Sequence, residues 1–324
     1  MTKDAVLKRL AETTEYISGE VLASELGVSR NAVWKAVKSL ENDGFIIEKL
    51  KNKGYRLSKD SNRLSAEIIS ANLKEKVTVY VYDEVGSTNS IAKEMAAQNV
   101  KSGTAVIAES QTDGRGRLGR KFVSPHGTGI YMSIIIRPDF EIETAPLMTT
   151  AVAVAVAEAV EKLSGEKVSV KWVNDIYING KKICGILTEA SMGLEMKKLD
   201  YAVIGIGINV RSLKGKIDSE LSGIASSIEE ETGKILDRNI LCAEILKNVS
   251  KRISSIETKD FLLEYRKREL LTGNMITYNI NGSSEQGFAL GIDDNANLIV
   301  KDSQGNIRQL GAGEANLLRI ENRC

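Results

Sequence analysis

Hydrophobic positions near the N-terminus recur at helical spacing. Ser18 predicts the start of a short helix that Gly27 ends, and Ser29 predicts the cap of a second helix over residues 30–40. The second helix carries an apolar stripe formed by Val33, Ala36, Val37 and Leu40. Two short helices joined by a glycine-containing turn indicate a helix-turn-helix.

The spacing then changes to that of strands. Residues 45–50 and 55–57 are strand-like, and the intervening turn at 51–54 is rich in lysine and ends in glycine. Such a basic hairpin after the second helix predicts a winged helix-turn-helix domain over residues 1–63. The polar and charged segment 58–67 is predicted to be the linker to the next domain.

The charge around the second helix is locally positive. Residues 29–59 contain eight Lys and Arg against three acids, although the whole chain has a formal net charge of only +1. A solvated face and a helical protein-interaction module are the alternatives to DNA binding. Because the basic side chains lie opposite the apolar stripe, we expect DNA contacts. The predicted DNA-binding residues are Ser29, Arg30, Asn31, Trp34, Lys35 and Lys38.

Strand-like and helical patterns alternate in the middle of the chain. The predicted strands are 77–85, 104–109, 129–137, 168–172, 182–189 and 201–210, and the predicted helices are 87–98, 145–163, 237–256 and 259–270. Alanine and valine alternate strictly within 145–163, as in a strand. Its length, its alanines and the early Pro146 favour a buried helix. The pattern predicts a mixed-sheet α+β domain over residues 64–271.

Short strands with turn signals follow to the C-terminus. The turn signals are Asn281-Gly282, Asp293-Asp294-Asn295 and Ser303-Gln304-Gly305-Asn306. They predict a small β-barrel domain over residues 272–324.

The composition limits the number of domains, the kinds of catalytic or metal site and the cellular compartment. The 324 residues suggest two or three domains. His126 is the single histidine, which excludes zinc sites and acid–base mechanisms that need several histidines. We predict no metal site. The most apolar run, 147–157, is about half the roughly 20 residues that a bilayer requires, and the N-terminus lacks a signal-peptide pattern. Three scattered cysteines favour a reducing compartment, so we expect a cytoplasmic protein without membrane contact.

The segment 111–122 carries the most distinctive chemistry. It combines four cations with three glycines, which brings guanidinium groups and backbone amides close to an anion. It lacks the P-loop spacing, and residues 205–209 do not complete a dinucleotide fingerprint. A disordered nucleic-acid-binding segment is the alternative. Its position between two apolar strands predicts an active-site loop.

Three motifs in order resemble the biotin–protein ligases. They are Gly114-Arg-Gly-Arg-Leu-Gly-Arg-Lys-Phe-Val-Ser-Pro, Lys171-Trp-Val-Asn-Asp-Ile-Tyr and Lys181-Lys-Ile-Cys-Gly-Ile-Leu-Thr-Glu. With the winged N-terminus, the chain is similar over essentially its whole length to the bifunctional ligases that also repress the biotin operon. Two positions depart from the family pattern: Val173 replaces the usual proline, and Phe122 stands where tryptophan is frequent. The resemblance implies a class II synthetase-like catalytic domain and an SH3-like C-terminal domain.

The resemblance also implies the reaction and its partners. Such enzymes join biotin and ATP, supplied with Mg²⁺, into biotinyl-5′-adenylate and pyrophosphate. They then transfer the biotinyl group to a lysine of a biotin carboxyl carrier protein. The further partners implied are operator DNA and a second copy of the chain, in a homodimer that the adenylate favours.

Site residues follow by matching the motifs position by position. The biotin-binding residues so implied are Ser87, Thr88, Asn89, Gln111, Arg115, Gly116, Arg117 and Lys182. Those implied for ATP or adenylate are Arg117, Arg120, Phe122, Asn174 and Asn209, and the catalytic ones are Lys182, Arg117 and Asp175. Lys182 matches the lysine that bridges carboxylate and α-phosphate oxygens, and Asp175 the acid that positions the acceptor amine. A plain helix cap for Ser87 and Thr88, a solvated Lys182, and an Asn-Asp turn at Asp175 are the structural alternatives. His126 is expected to be structural.

Three other functions fit parts of the pattern. A lipoate ligase on the same scaffold is disfavoured by the neutral polar set that matches the ureido ring of biotin. A DNA-bound biotin sensor without ligase activity is disfavoured because both Lys182 and Asp175 are present. A ligase with a vestigial winged module is left open by the sequence.

Overall fold

The computed structural model describes residues 2–58, 60–73, 75–140, 142–192, 199–280, 283–311 and 313–318. These contain a two-stranded, a seven-stranded and a five-stranded sheet. No helix in the described ranges is long and apolar enough to cross a membrane. Lys59, the predicted Asn281-Gly282 turn, Cys324 and the end of the predicted C-terminal domain lie outside the described residues.

The N-terminal module has the predicted helix-turn-helix and wing. Its elements are α1 (Thr2–Ala11), α2 (Gly19–Glu25), α3 (Arg30–Asn42), β1 (Ile47–Leu50) and β2 (Gly54–Leu57). The caps are confirmed, since the hydroxyl oxygens of Ser18 and Ser29 accept hydrogen bonds from the amides of Val21 and Ala32. Strands β1 and β2 form an antiparallel hairpin.

The apolar stripe of α3 forms the core of this module. Val33, Ala36, Val37 and Leu40 are buried as predicted. They pack against α1, an element that the sequence patterns did not single out, through its buried face of Val6, Leu7 and Leu10. The polar side of α3 is thereby left in solvent.

The segment predicted to be a linker is packed against both neighbouring domains. It contains the start of α4 (Ala66–Ala71), which is capped by Ser65. Leu64 is buried in the central core. On α4, Ile68 belongs to the N-terminal core and the adjacent Ile69 to the central core. One turn of helix therefore joins the two hydrophobic cores.

The central domain is built on the seven-stranded mixed sheet. In chain order its elements are β3 (Val79–Val85), α5 (Thr88–Ala97), β4 (Ala105–Gln111), β5 (Gly129–Ile136), α6 (Leu147–Ser164), β6 (Ser169–Lys171), β7 (Asp175–Ile178), β8 (Lys181–Met192), β9 (Leu199–Asn209), α7 (Ser219–Ser222), α8 (Ile228–Thr232), α9 (Arg238–Ser254) and α10 (Phe261–Arg268). The strand order is β3-β4-β5-β9-β8-β7-β6. Strands β3 and β4 are parallel and the other neighbours are antiparallel.

Helix α6 confirms the helical interpretation of the alanine–valine alternation. It is almost entirely buried, because it packs between the sheet and α9. A helix surrounded in this way has no polar face to display, so strict alternation carries no information about its sides.

The C-terminal domain is an antiparallel sheet. Its strands are β10 (Met275–Ile280), β11 (Ser283–Ile292), β12 (Leu298–Asp302), β13 (Ile307–Leu310) and β14 (Ala315–Leu317), in the order β13-β12-β11-β10-β14. Among the described residues β13 and β14 are the two edges, with no pairing between them that closes a barrel. Both remaining turn signals are confirmed, since Asp293 and Asp302 accept backbone hydrogen bonds within their turns.

A buried ion pair between α9 and β4 of the central domain holds the segment that follows the wing. Arg238 and Glu109 are 1% and 2% exposed, and Arg238 Nη1 lies 2.8 Å from Glu109 Oε2. The same guanidinium donates to the side chain and carbonyl of Asn62, while the Leu64 amide donates to Glu109 Oε1 at 2.7 Å. Removing one member of such a pair costs about 3–5 kcal/mol. Asn62 and Leu64 are therefore fixed to α9 and β4 by buried hydrogen bonds.

Candidate functional site

A cavity of about 610 Å³ lies over strands β4, β8 and β9. The segment between β4 and β5 and the C-terminal sheet contribute its other walls. Every ligand-site residue predicted from the sequence lines it: Ser87, Thr88, Asn89, Gln111, Arg115, Gly116, Arg117, Arg120, Phe122, Asn174, Asp175, Lys182 and Asn209. His126 is not among its lining residues; it is half exposed beside Asp83.

One end of the cavity is neutral and polar. Ser87 is the N-cap of α5, but its hydroxyl makes no capping hydrogen bond within the described structure, unlike the caps of α2 and α3. The Thr88 amide donates instead to Gln111 Oε1 at 2.9 Å, and Gln111 Nε2 donates to Ser124 Oγ at 3.0 Å. The plain-cap interpretation of Ser87 is therefore wrong, because its hydroxyl does not cap α5.

Asn89 is held by groups that sequence reasoning missed. Its Nδ2 donates to Glu189 Oε2 at 2.7 Å, and its Oδ1 accepts from Ser133 Oγ at 2.6 Å. Lys93 donates to the other oxygen of Glu189 at 2.7 Å. Glu189 ends the third sequence motif, and Ser133 is a lone polar residue within the apolar strand β5. Those two signals were available in the sequence.

The glycine-rich loop is folded rather than disordered. The Gly116 amide donates to the Arg120 carbonyl at 2.7 Å, and the Phe122 amide donates to the Gly114 carbonyl at 2.8 Å. Arg115 pairs with Asp113 at 2.6 Å, and this hydrogen bond raises the pKa of the guanidinium. The loop thus presents its cations on a defined backbone.

Two arginines of this loop reach the C-terminal sheet. Arg117 Nη1 donates to Asn174 Oδ1 and its Nη2 donates to the Gly313 carbonyl, both at 2.9 Å. Arg120 Nη1 lies 2.7 Å from Glu314 Oε1. The C-terminal domain therefore forms a wall of the cavity, which the sequence patterns did not indicate because no local signal relates such distant segments.

The cationic end also contains an ion pair. Lys182 Nζ lies 2.7 Å from Asp175 Oδ1, and both side chains are partly exposed, at 27% and 18%. Asp175 begins β7, and β7 pairs with β8 around Asn179 and Gly180. The solvated interpretation of Lys182 is therefore wrong, because strand pairing brings the two side chains together. Asn174 does lie in the turn between β6 and β7, whereas Asp175 is already the first residue of the strand.

Lys171 is a further cation at this end that was not predicted as a site residue. Its Nζ donates to Asn316 Oδ1 at 2.6 Å. Burial lowers the pKa of its ammonium group, with a smaller contribution of the same sign from Lys182. The peptide bond between Trp172 and Val173 is cis, at the position where the family usually has proline.

Three glycines form the floor of the cavity. A Cβ at Gly205 would lie 2.3 Å from Asn89 Oδ1, and a Cβ at Gly207 would lie 2.6 Å from the Phe122 ring. Gly185 faces Gly207 across the β8–β9 pair. The run 205–209, which matched no nucleotide fingerprint, is thus explained by the space that the side chains above it require. Asn209 at its end donates to the Ser226 carbonyl at 3.0 Å.

The outer face of α3 is a second candidate surface. The exposed predicted residues on it are Arg30, Asn31, Trp34, Lys35 and Lys38. Lys38 and Lys49 both pair with Glu41, at 3.2 and 2.7 Å, so part of the positive excess is neutralised locally. Ser29 uses its hydroxyl as the helix cap.

Comparison with known proteins agrees with this division. Residues 81–209 match the model described as the biotin/lipoate A/B protein ligase family, and residues 2–56 match an HTH domain. The bifunctional ligase/repressor BirA of Bacillus subtilis is 39% identical over 298 residues, which cover 90% of this chain and 91% of that protein. The chain belongs to the biotin/lipoate A/B protein ligase family. The Escherichia coli bifunctional ligase/repressor BirA is 31% identical over 95% of this ligase and 94% of its own length.

A solved structure supports the same assignment. The biotin protein ligase from Aquifex aeolicus in complex with biotin and ATP superposes with a TM-score of 0.63 and 30% identity. It covers 75% of this ligase and is itself covered over 99% of its length. The resemblance inferred from the three motifs is confirmed.

Proposed function

We propose that this ligase forms biotinyl-5′-adenylate from biotin and ATP and transfers the biotinyl group to a lysine of a biotin carboxyl carrier protein. We propose that its winged module also represses transcription at an operator. One observation carries the enzymatic part: a single cavity joins a neutral polar end to a cationic end that contains the Lys182–Asp175 pair. Family membership and the named relatives support both parts.

The two ends of the cavity fit the two ends of biotin. The ureido head is a neutral ring of N–H donors and a carbonyl acceptor, which Ser87, Thr88 and Gln111 complement. The carboxylate must approach the ATP phosphates although all carry negative charge. Arg115 and Arg117 supply positive charge on a folded loop, and such preorganised groups lower the barrier for joining two anions.

Lys182 and Asp175 then act in succession. In the first step a biotin carboxylate oxygen attacks the α-phosphorus, the bond to pyrophosphate breaks, and pyrophosphate leaves. Lys182 exchanges Asp175 for the carboxylate and phosphate oxygens. In the second step the acceptor amine attacks the carbonyl carbon and AMP leaves, while the released Asp175 positions that amine and takes up its proton.

The nucleotide side completes the proposal. Arg120, Asn174 and Asn209 surround the phosphate and ribose region, and Phe122 stacks on adenine. Mg²⁺ arrives with ATP. Among the described residues no group of three or more acidic, cysteine or histidine side chains is arranged to hold a metal.

An assay with biotin, ATP and a purified carrier domain tests the enzymatic proposal. We expect biotin-dependent pyrophosphate release and biotin attached to the carrier lysine. Pyrophosphate release that depends on lipoate and not on biotin would favour the lipoate ligase. Biotin binding without transfer would favour the sensor.

The finer features of the repressor belong to the same proposal. We propose a homodimer favoured by biotinyl-5′-adenylate, formed through sheet edges of the central domain, since β3 and β6 end the seven-stranded sheet. We also propose a cytoplasmic location, a class II synthetase-like central domain and an SH3-like C-terminal domain. A gel-shift with DNA from upstream of biotin genes, with and without biotin and ATP, tests repression and separates it from a vestigial module.

A further inference from the structure

A chain of buried polar groups runs from the neutral end of the cavity to a carboxylate outside it. Thr88 Oγ1 lies 2.7 Å from Ser133 Oγ, which lies 2.6 Å from Asn89 Oδ1. Asn89 Nδ2 donates to Glu189 at 2.7 Å. Of these four residues, only Thr88 and Asn89 line the cavity. The other two therefore act on a ligand through their neighbours.

The number of hydroxyl protons decides the direction of the hydrogen bonds. Two hydroxyl protons serve three oxygen–oxygen contacts, because Thr88 Oγ1 also lies 3.1 Å from Gln111 Oε1. Asn89 Oδ1 can only accept, so the single Ser133 proton goes to Asn89, and the proton between Thr88 and Ser133 comes from Thr88, which leaves none for Gln111. Gln111 Oε1 already accepts the Thr88 amide. Thr88 consequently donates to Ser133, and Ser133 donates to Asn89.

We infer that Glu189 is a specificity-determining positioning residue that makes the Thr88 hydroxyl oxygen an acceptor for a ligand N–H. Its carboxylate holds the Asn89 amide with Nδ2 outward and Oδ1 toward Ser133, which draws both hydroxyl protons away from the cavity. A cyclic urea offers N–H groups to such an acceptor, whereas a dithiolane ring offers none. This inference rests on the proposed biotin ligase function and deepens it.

The surroundings support a fixed carboxylate. Burial alone would raise the pKa of Glu189, but hydrogen bonds from Lys93 and Asn89 outweigh burial and lower it, so the group is ionised at neutral pH. The absent side chain at Gly205 provides the space that Asn89 occupies. Each feature keeps the amide of Asn89 in one orientation.

Exchanging the Glu189 carboxylate and the Asn89 amide between their two positions tests the inference. Biotin binding to the full chain is measured by calorimetric titration in the absence of ATP. Glu189→Gln loses the fixed orientation, and Asn89→Asp places two carboxylates against each other. We expect each to weaken biotin binding tenfold or more. In the double variant the new glutamine amide donates to the new aspartate, which still accepts from Ser133. We therefore expect binding within a few-fold of wild type.

A second pair of variants keeps the test decisive if a swapped chain is unstable. Ser133→Ala breaks the chain of hydrogen bonds, and Ser110→Ala is its matched control, since Ser110 is a buried serine of the neighbouring strand that bonds to the Asp83 carbonyl. We expect only Ser133→Ala to weaken biotin. Biotin methylated on its urea nitrogens is expected to bind weakly to wild type. Neither Ser133→Ala nor Ser110→Ala is expected to change that affinity.

The outcomes separate two failures. Wild-type protein that does not bind biotin would overturn the proposed function. Wild-type protein that binds biotin, with losses that simply add in the double variant or with equal losses for methylated biotin, would overturn the role of Glu189 and leave the ligase intact.

Discussion

At the scale of single residues, the Lys182–Asp175 pair gives the most direct prediction. Lys182→Ala should abolish pyrophosphate release from biotin and ATP, because it removes the cation placed between two groups of anions. The circular dichroism spectrum should be unchanged, since this partly exposed side chain lies at the cavity rather than in the core. Lys181→Ala is the control: its side chain donates to the Gly223 carbonyl outside the cavity. Release near the wild-type rate would contradict the role assigned to Lys182.

Gly207 gives a second prediction at this scale. A methyl group there would lie 2.6 Å from the Phe122 ring, so Gly207→Ala should displace the ring and raise the KM for ATP about tenfold or more, the change expected when ~1.4 kcal/mol of binding free energy is removed. The affinity for biotin should change little. Gly86→Ala is the control, because a Cβ at Gly86 meets open space. An unchanged KM for ATP would show that Phe122 does not touch the nucleotide.

The sequence was most informative where site residues belong to local motifs. The loop arginines, Lys182 and Asp175 are in recognisable runs and all line one cavity. Ser133 and Glu314 were missed because their relevance depends on packing: one bonds to a helix more than forty positions away, and the other meets the loop from the opposite end of the chain. Spacing along the chain does not encode those interactions.

At the scale of elements, the β12–β13 turn makes stability depend on pH. Burial would raise the pKa of Asp302, but hydrogen bonds from Arg308 and Asn306 outweigh it and lower the pKa to about 2. A carboxyl whose pKa is depressed by folding stabilises the fold above its unfolded value of 3.8, and the contribution is lost as the pH falls through about 2. Asp302→Asn should therefore lower the unfolding temperature by a few degrees at neutral pH.

Thermal unfolding of wild type and Asp302→Asn between neutral pH and pH 2 checks this expectation. The difference between them should shrink across the window from about 4 to about 2. Ser303→Ala, an exposed neighbour in the same turn, should behave as wild type. A difference that persists at pH 2 would show that the turn depends on shape rather than on the charge of Asp302.

Helix α3 gives a prediction for DNA binding. Lys35→Ala combined with Lys38→Ala should weaken binding and flatten its salt dependence by about 0.9 for each DNA phosphate that is no longer neutralised. Measuring the dissociation constant across a series of salt concentrations tests this. Ligation of biotin should be unaffected, since both side chains are exposed on the outer face of the N-terminal module. An unchanged slope would place the phosphate-binding cations elsewhere on that module.

The sequence predicted elements well where the hydrophobic pattern extends over many residues. It predicted them less well where a short segment is stabilised mainly by contacts with its neighbours. Helix α6 has eighteen residues and its own composition signal. Strand β7 has four residues and begins with the aspartate of an Asn-Asp pair that favours a turn, and the asparagine of that pair does lie in the turn between β6 and β7. Pairing with β6 and β8 on its two sides makes Asp175 part of the strand. Helix α4 was hidden for the same reason, since its two isoleucines are stabilised by different cores.

At the scale of the whole molecule, ligand binding and association should be linked. If biotinyl-5′-adenylate favours the homodimer, dimerisation must strengthen adenylate binding by the same factor. Sedimentation with and without biotin and ATP should show a tighter monomer–dimer equilibrium when the adenylate forms. Adding carrier domain should reverse the effect as the adenylate is consumed. A monomer–dimer equilibrium that is unchanged by all these additions would contradict ligand-linked dimerisation and would leave the ligase function unaffected.

The hydrogen bonds from the linker to the buried Arg238–Glu109 pair have a consequence for the spacing of DNA sites in the regulated promoter. A DNA-binding domain on a flexible linker can reach half-sites at many separations. In this chain α4 and the hydrogen-bonded Asn62 hold the linker against the central domain. In the proposed homodimer, the distance between the two recognition helices is then set by how the two catalytic domains associate. The spacing of the two operator half-sites must then match this distance. Inserting about 5 base pairs, half a helical turn, between the half-sites would rotate one of them away from its recognition helix.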